Sequence, residues 1–236
     1  MRGILRMIGS GGVNPVWDGL QGYWNADSNP NDSKNSFNGV LTNGATYETG
    51  IINNGFSFDG VNDFVNIGDV LDIRLDSWTY NFWVKPTVVG AYVGLITKAP
   101  ALNQQRWWII INAGKVEFSI QTVVDERWQF TGNTTIVAGV ETMISVVINR
   151  NGAVKIYVNA IEETVSAVRG SPIANDISSI NAFDFNTTDN LAFGGFHVTL
   201  ALYNGIMDEI SIFKAIKTQS EITELYNGGA GLQYIP

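Results

Sequence analysis

The chain has 236 residues, of which 45% are hydrophobic and 15% are charged, and its formal net charge is −8. This length and composition suit one large all-β domain with a two-layer core. The acidic charge argues against a nucleic-acid partner, because nucleic acid is bound by clustered Lys and Arg. The lack of cysteine excludes disulfide frameworks and zinc–thiolate sites, and the single histidine, His197, excludes a multi-histidine metal centre. No apolar run reaches the roughly 18 residues that a membrane span needs.

Residues 1–16 are rich in glycine, show no hydrophobic periodicity and contain Gly9-Ser10-Gly11-Gly12. We interpret them as a flexible arm that precedes a single domain over residues 17–236. Such an arm is either a disordered terminus or a peptide that attaches the domain to a larger assembly. The segment 1–8 is too short for the apolar region of a signal peptide, so the chain either lacks a leader or begins after a removed one.

From residue 17 to about residue 215, short strand-like runs alternate with turn signals such as the repeated dipeptide Asn-Gly, which favours tight turns. Runs rich in β-branched and aromatic residues predict strands at 55–58, 64–67, 78–85, 127–130 and 191–193. Strands do not alternate with helices, so the pattern predicts an antiparallel sandwich rather than an α/β enzyme.

Two longer segments predict hairpins. The first covers residues 107–120, and the second covers residues 143–158 with Asn151-Gly152 at its turn. In the second hairpin the apolar residues of each strand share one face, which predicts antiparallel pairing over a core. These residues are Ile144, Val146 and Ile148 on the first strand and Val154, Ile156 and Val158 on the second.

The segment 205–228 predicts a closing strand followed by a short helix. Alternation from Ile206 to Phe213 has the period of two of a strand, so the adjacent acids Asp208 and Glu209 are expected on opposite faces. Thr218 and Glu221 have the spacing of a capping box, and Asn227-Gly228 is typical of a helix end. This is the one convincing helix in the sequence.

Several segments, in their order and spacing, resemble the laminin-G-like, concanavalin A-like lectin/glucanase jelly-roll family. They are Gly22–Asp27, Asp32-Ser33 with Asn38-Gly39, Asn54–Gly60 with Asp63–Val65, Trp78–Pro86, the 143–158 hairpin, and the closing strand with its helix. The chain departs from the family at Ala160, where glycine is common. The resemblance covers about residues 19–228 and implies a jelly-roll sandwich of two antiparallel sheets with one short C-terminal helix. Members of this family differ in function, so the fold does not fix the activity.

The resemblance also implies a structural calcium site. Members often bind calcium with an acid near the first strand and the Asp of the closing strand, which here are Asp27 and Asp208. Asp59 or the Gly60 carbonyl would assist, since calcium takes six to eight oxygen ligands. The alternative is that Asp59 bonds to its own turn and that Asp27 is a solvated strand end.

An enzyme is not expected. Glycosidases of related fold place carboxylates at alternate positions of one strand, and this acid-x-acid pattern is absent. No cysteine is present, and His197 has no serine motif near it.

Aromatic residues are plentiful, and exposed rings can stack on the C–H faces of sugars. In the consecutive pair Trp107-Trp108, at least one ring should leave the core or be capped by a loop, and we expect Arg106, Trp107, Trp108 and Trp128 to form a ligand-binding patch. The alternative is that most of these aromatics belong to the core.

These observations predict a non-enzymatic recognition or display module that binds a glycan or a cell-surface polymer. The expected setting is extracellular or on a virion surface, where phage decoration and fibre proteins use such domains and the arm contacts other virion proteins. A homo-oligomer would add avidity. The alternatives are a carbohydrate-active enzyme or its accessory domain, and a structural virion piece without a ligand.

Overall fold

Two antiparallel β-sheets and one short helix make up the described part of the chain, as the sequence predicts. The structure is a computed structural model that describes residues 14–90, 92–99, 105–122, 126–169, 175–195 and 202–236. The strands are β1 (Leu20–Trp24), β2 (Val40–Thr42), β3 (Thr46–Thr49), β4 (Asn54–Asp59), β5 (Phe64–Gly68), β6 (Trp78–Pro86), β7 (Val93–Lys98), β8 (Arg106–Asn112), β9 (Lys115–Gln121), β10 (Arg127–Thr135), β11 (Thr142–Ile148), β12 (Val154–Val158), β13 (Ile161–Glu162), β14 (Ser166–Arg169), β15 (Leu191–Phe193) and β16 (Asn204–Phe213). The helix α1 covers Gln219–Tyr226, and 3-10 turns lie at Pro15–Trp17, Ser178–Ile180 and Asn227–Gly229.

Each sheet contains eight strands among the described residues. Sheet A has the order β13-β12-β11-β6-β16-β4-β3, and β1 also pairs with β16. Sheet B has the order β14-β10-β9-β8-β7-β15-β5-β2. Both predicted hairpins are confirmed as β8–β9 and β11–β12, and Ile144, Val146 and Ile148 pair with Val158, Ile156 and Val154.

The main core lies between the two sheets and contains the inward-facing apolar side chains of both. It includes the β11–β12 rows, Phe56 and Phe58 of β4, and Tyr80, Phe82 and Val84 of β6. Because the strands alternate, the residues between these positions face the outside of the sandwich.

A second cluster covers part of the outer face of sheet A. Ile222 and Leu225 of α1 pack there against Trp83, Met143 and Phe213. The helix begins at the predicted capping box of Thr218 and Glu221 and ends at Asn227 in the left-handed conformation (φ 49°). The helix therefore closes one half of this face and leaves the other half open.

The predicted boundary of the arm is too late. Val16 is buried in the second cluster, and the Asn14 side chain donates a 2.7 Å hydrogen bond to Glu224 of α1. Residues 14–16 therefore belong to the domain, because their apolar and polar contacts are made with it. The rest of the predicted arm, residues 1–13, lies outside the described residues.

The closing strand β16 exchanges partners halfway along one edge. Residues 204–207 pair with β4, whereas residues 210–213 pair with β1. Between these two stretches the pairing with β6 shifts register, and Glu209 adopts a left-handed backbone (φ 50°). This arrangement is a β-bulge, which adds one residue to the strand and interrupts its alternation.

The bulge makes the sequence expectation for the two acids wrong. Met207 and Ile210 both face the core between the sheets, so the two residues between them share the outer face. Asp208 and Glu209 are therefore on the same side of sheet A, because the bulge inserts one residue into the period of two.

Candidate functional site

An open groove of about 1100 Å³ lies on the uncovered half of the outer face of sheet A. Strand pairing builds its floor, since Thr46, Ser57, Ile206 and Lys85 are aligned across β3, β4, β16 and β6. The walls come from the turns at each end of these strands, and they include Glu48, Asn54, Asp59, Asp63, Thr87, Gly139 and Asn204. Hydroxyl, amide and charged groups thus dominate a surface long enough for an extended ligand.

Lys85 is the basic residue of this groove. Its Nζ lies 3.2 Å from Glu141 Oε1, and its side chain keeps 38% of its exposure. On the opposite side, Asp63 Oδ2 accepts a hydrogen bond from the Asp59 backbone, and Asp59 Oδ1 accepts one from the Val61 backbone. Burial raises the pKa of Asp63. These two acids therefore stabilise the 59–63 turn that forms one wall.

A cluster of acids lies beside the groove, where β1 and β4 meet against β16. Asp208 Oδ2 accepts hydrogen bonds from the backbone N–H groups of Ile51 (2.9 Å) and Ile52 (3.0 Å), and Oδ1 accepts one from Glu209 (2.8 Å). Asp27 follows β1, and its carbonyl accepts a 2.8 Å hydrogen bond from the Asn54 side chain at the start of β4. The cluster therefore joins the end of β1 and the start of β4 to the middle of β16.

Glu209 is a buried acid of this cluster with one hydrogen-bonded and one unpartnered oxygen. Its Oε2 accepts a hydrogen bond from the Tyr23 hydroxyl, and its side chain is buried. Its other oxygen, Oε1, is buried without a hydrogen-bond partner among the described residues. A buried acceptor without a donor is costly for a charged carboxylate, so this environment favours the protonated acid.

The ionisation of the cluster follows from burial. Burial raises the pKa of Asp208 to about 7, although the three backbone N–H groups oppose the rise and the Asp27 charge adds to it. Burial, with the charges of Asp208 and Asp27, raises the pKa of Glu209 to about 9. Among the ion pairs of the described residues, none involves Asp27, Asp208 or Glu209. The cluster is therefore acidic without a basic side chain to balance it.

The predicted calcium ligands divide into two groups. Asp27 and Asp208 are close enough for their charges to interact, and the uncompensated acids and the unpartnered Glu209 Oε1 are compatible with a cation. Asp59 does not belong to this site. Gly55 packs against Asp208, and Asp59 lies four residues further along β4. Four residues of strand span about 13 Å, which is too far for Asp59 and Asp208 to bind the same ion. No group of three acids in the described residues forms a ready-made metal site.

The predicted aromatic patch is not one exposed surface. Trp107 and Trp128 lie in the core between the sheets, where their ring faces cannot stack on a sugar. Consecutive residues of a strand point to opposite faces, so in β8 Trp107 faces the core and Trp108 faces the outside of sheet B. The core interpretation is the correct one for these two rings.

Trp108 lies on the outer face of sheet B but is buried there. Its ring is covered by the guanidinium groups of Arg106 (5.4 Å) and Arg127 (4.7 Å). Arg106 donates to Gln121, and Arg127 is held by a 2.7 Å ion pair with the buried Glu117. The pair of arginines therefore occupies the face that a sugar would need.

Sequence reasoning missed the groove, although three of its floor residues, Ser57, Ile206 and Lys85, are the outward positions of correctly predicted strands. The alternation of 54–58 and 78–85 marks Ser57 and Lys85 as outward, but it does not say that β16 lies between them.

The single histidine, His197, lies outside the described residues. In the described part of the chain, no helix is long and apolar enough to cross a membrane.

The fold matches several solved structures. Domain 4 of AbnA, a GH43 extracellular arabinanase from Geobacillus stearothermophilus, in complex with arabinotriose, is 20% identical with a TM-score of 0.66, and the match covers 87% of this chain and 97% of that one. The binding domain of Paraclostridial Mosquitocidal Protein 1 is 13% identical with a TM-score of 0.70 over 91% of this chain and 53% of that one. The ligand binding domain of botulinum neurotoxin serotype D, in complex with N-acetylneuraminic acid, is 16% identical with a TM-score of 0.62, over 89% and 51%.

At these identities the likeness shows the fold alone, and the chain spans about half the length of the two toxin domains. No curated protein sequence matches the chain significantly. A family profile described as the concanavalin A-like lectin/glucanases superfamily, of the laminin G type, matches residues 59–223. That match covers more than half of the chain and includes the 59–63 turn of the groove wall, the closing strand and most of α1. The two sheets, the terminal helix and this match together assign the chain to the concanavalin A-like lectin/glucanases superfamily.

Proposed function

We propose that this protein is a non-enzymatic recognition module that binds a glycan or a cell-surface polymer in the groove of sheet A. The observation that carries the proposal is the aligned row of Thr46, Ser57, Ile206 and Lys85 on the floor of an open polar groove. Sugar hydroxyl groups both donate and accept hydrogen bonds, and this floor offers hydroxyl and ammonium groups on β3, β4 and β6, with the apolar Ile206 of β16 among them. The neighbours whose structures contain arabinotriose and N-acetylneuraminic acid support a carbohydrate ligand.

Four of the acids near the groove are committed to contacts within the protein, which supports binding rather than hydrolysis. Asp208 and Glu209 are buried; both Asp208 oxygens accept hydrogen bonds from backbone N–H groups, and Glu209 Oε2 accepts one from Tyr23. Asp59 and Asp63 lie on one wall and are engaged in the same turn. A glycosidase needs two carboxyl groups that flank the scissile bond from opposite sides.

The setting is proposed to be extracellular or on the surface of a virion, where a phage decoration or fibre protein would carry many copies. Weak contacts with single sugars would then be multiplied by avidity. In this proposal the glycine-rich residues 1–13 link the domain to other virion proteins or to further copies of the chain. Copurification with a particle, and loss of that copurification when residues 1–13 are deleted, tests this setting.

The groove is tested with a matched pair of lysines. Lys85 and Lys155 both lie on the outer face of sheet A, and each forms an ion pair with a glutamate at about 3 Å with similar side-chain exposure, 38% and 43%. Only Lys85 lines the groove. On a glycan array probed with multimerised protein, Lys85→Ala should weaken binding roughly tenfold, the value of one charge-assisted hydrogen bond. Lys155→Ala should bind as the wild type does; equal loss in both variants, or no binding by the wild type, contradicts the proposal.

A second candidate is a carbohydrate-active enzyme or its accessory domain. It is favoured by the match to 97% of an arabinanase domain. Of these forms, only the enzyme would turn over a glycan. Release of reducing ends from arabinan or β-glucan by the wild type, abolished in an Asp59→Asn variant that retains its melting temperature, would favour an enzyme over a binding module.

A further inference from the structure

A small pocket of about 260 Å³ lies on the outer face of sheet B, on the opposite side of the sandwich from the groove. Its floor is Ala192 of β15, which is paired with Asn66 of β5 on one side and Thr97 of β7 on the other. Val65, Leu191 and Phe193, the neighbours of these residues along the strands, face the core. Asn66, Ala192 and Thr97 therefore point outward, and the short side chain of Ala192 leaves a hollow between two longer ones.

The walls of the pocket differ in chemistry. Phe64 and Leu202 form an apolar side, and Asp189 and Asn190 form a polar side. The carboxylate of Asp189 and the amide of Asn190 make no side-chain hydrogen bond to other described residues, so they are available to a ligand. One wall thus matches the C–H face of a sugar ring, and the other matches its hydroxyl groups.

The floor of the pocket is held in place by its own contacts. The Thr97 hydroxyl donates a 2.7 Å hydrogen bond to the Gly195 carbonyl, and Asn66 Oδ1 accepts a 3.0 Å hydrogen bond from the Gly68 backbone. The latter bond leaves the Asn66 amide N–H₂ as a donor. A floor fixed in this way loses little conformational entropy when a ligand binds.

The geometry points to a second sugar-binding site in this pocket, which takes a single neutral pyranose or furanose ring, such as the end of a chain. The volume is a quarter of that of the groove and suits one ring rather than an oligosaccharide. A basic side chain is absent from the described lining, so an anionic sugar would meet Asp189 without a counter-charge. The site does not depend on the groove, since the two sheets separate them by more than the roughly 10 Å between packed sheets.

Two sites on opposite faces have a consequence that one site lacks. A single ring cannot reach both, so one protein molecule would engage two different chains. If the groove also binds glycan, as proposed above, a monomer would cross-link a polyvalent polysaccharide.

The pocket is tested with a panel of methyl glycosides of neutral hexoses and pentoses, observed by saturation-transfer NMR with the full chain. At least one glycoside should bind to the wild type. Ala192→Met, which fills the hollow, should weaken that binding at least tenfold, whereas Ala230→Met, a matched substitution at an exposed alanine outside both sites, should not. Asn190→Ala, at an exposed position, is the second variant and should weaken binding with an unchanged melting temperature.

The same experiment separates this site from the groove. Lys85→Ala should leave glycoside binding unchanged, even if it abolishes binding to polysaccharide. No glycoside binding by the wild type, or equal binding by Ala192→Met and Ala230→Met, would overturn the second site and leave the groove unaffected.

Discussion

The Tyr23 hydroxyl of the opening strand donates a hydrogen bond to the Glu209 carboxylate of the closing strand, 186 residues away in sequence. The bond is buried and lies where the bulge of β16 separates its pairing with β4 from its pairing with β1. Burial, with the charge of Glu209, raises the pKa of Tyr23 far above its usual range, so the phenol remains a donor. The first and last strands of the domain are thus joined by a polar contact as well as by their ladder.

Tyr23→Phe should destabilise the domain. The substitution removes the donor and leaves both oxygens of a buried carboxyl group without a partner, which costs about 1–3 kcal/mol. Chemical denaturation at pH 7 measures the change. Tyr226→Phe is the control, because the Tyr226 ring stacks on Trp83 while its hydroxyl makes no hydrogen bond to the described residues. Equal stability of the two variants would contradict the assigned role of Tyr23.

Stability in chelator should fall as the pH rises from about 4 to about 9. The pKa of Asp208 rises from 3.8 to about 7 on folding, and that of Glu209 rises from 4.5 to about 9. The folded state therefore binds more protons than the unfolded state, and its stabilisation is complete below the unfolded values and lost as the pH passes the folded ones. Denaturation at a series of pH values measures the slope. Glu209→Gln should flatten the part of it above pH 7, and an unchanged slope would argue against a buried, titrating Glu209.

Calcium should raise the melting temperature of the wild type if Asp27 and Asp208 bind it, because a ligand of the folded state stabilises that state. The measurement compares calcium with chelator at pH 8, where Asp208 is ionised. Asp27→Asn should remove the response. Asp59→Asn should retain it, since Asp59 lies about 13 Å along β4 from the cluster. An unchanged melt of the wild type would remove calcium from the description of this site.

Gly50→Ala should be destabilising because a Cβ at this position would clash with Asp208 Oδ2 and lie 2.9 Å from the Asn54 backbone. The loop that donates two N–H groups to Asp208 would have to move, at a cost of about 1–3 kcal/mol. Gly90→Ala is the control, since the nearest atom to its Cβ would be Val93 Cγ2 at 3.8 Å. A thermal melt compares the two. Similar melting temperatures would mean that the 50–52 loop can move to make room for the Cβ without loss of stability.

Most of the longer strands and the helix could be predicted because their signals are local, whereas β2, β3, β7, β13 and β14 were not predicted. The capping box of Thr218 and Glu221, the paired rows of the 143–158 hairpin and the alternation of 78–85 are all written in short stretches of sequence. The bulge at Glu209 has no comparable signal. It arises because β1 and β4 share one edge of β16, which is a relationship between three segments far apart in the chain.

The candidate site was harder to predict for the same reason. Which face of β8 holds Trp107 follows from alternation, but which ring is covered depends on Arg127 of a neighbouring strand. The predicted patch therefore included the correct outer residue, Trp108, with two rings that belong to the core. The pocket of sheet B lies on that same outer face, and its Thr97 pairs with Trp108.

The central place of β16 in sheet A constrains how the protein can be made. This strand lies between β6 on one side and β4 with β1 on the other, although it is the last strand in the sequence. During synthesis β6 cannot be joined to β4 and β1 until residue 213 has left the ribosome, because β16 lies between them. Nascent chains that stall earlier would present unpaired strand edges, so this sheet is expected to complete its folding only after β16 has been synthesised, and slowly, as contacts between distant segments require.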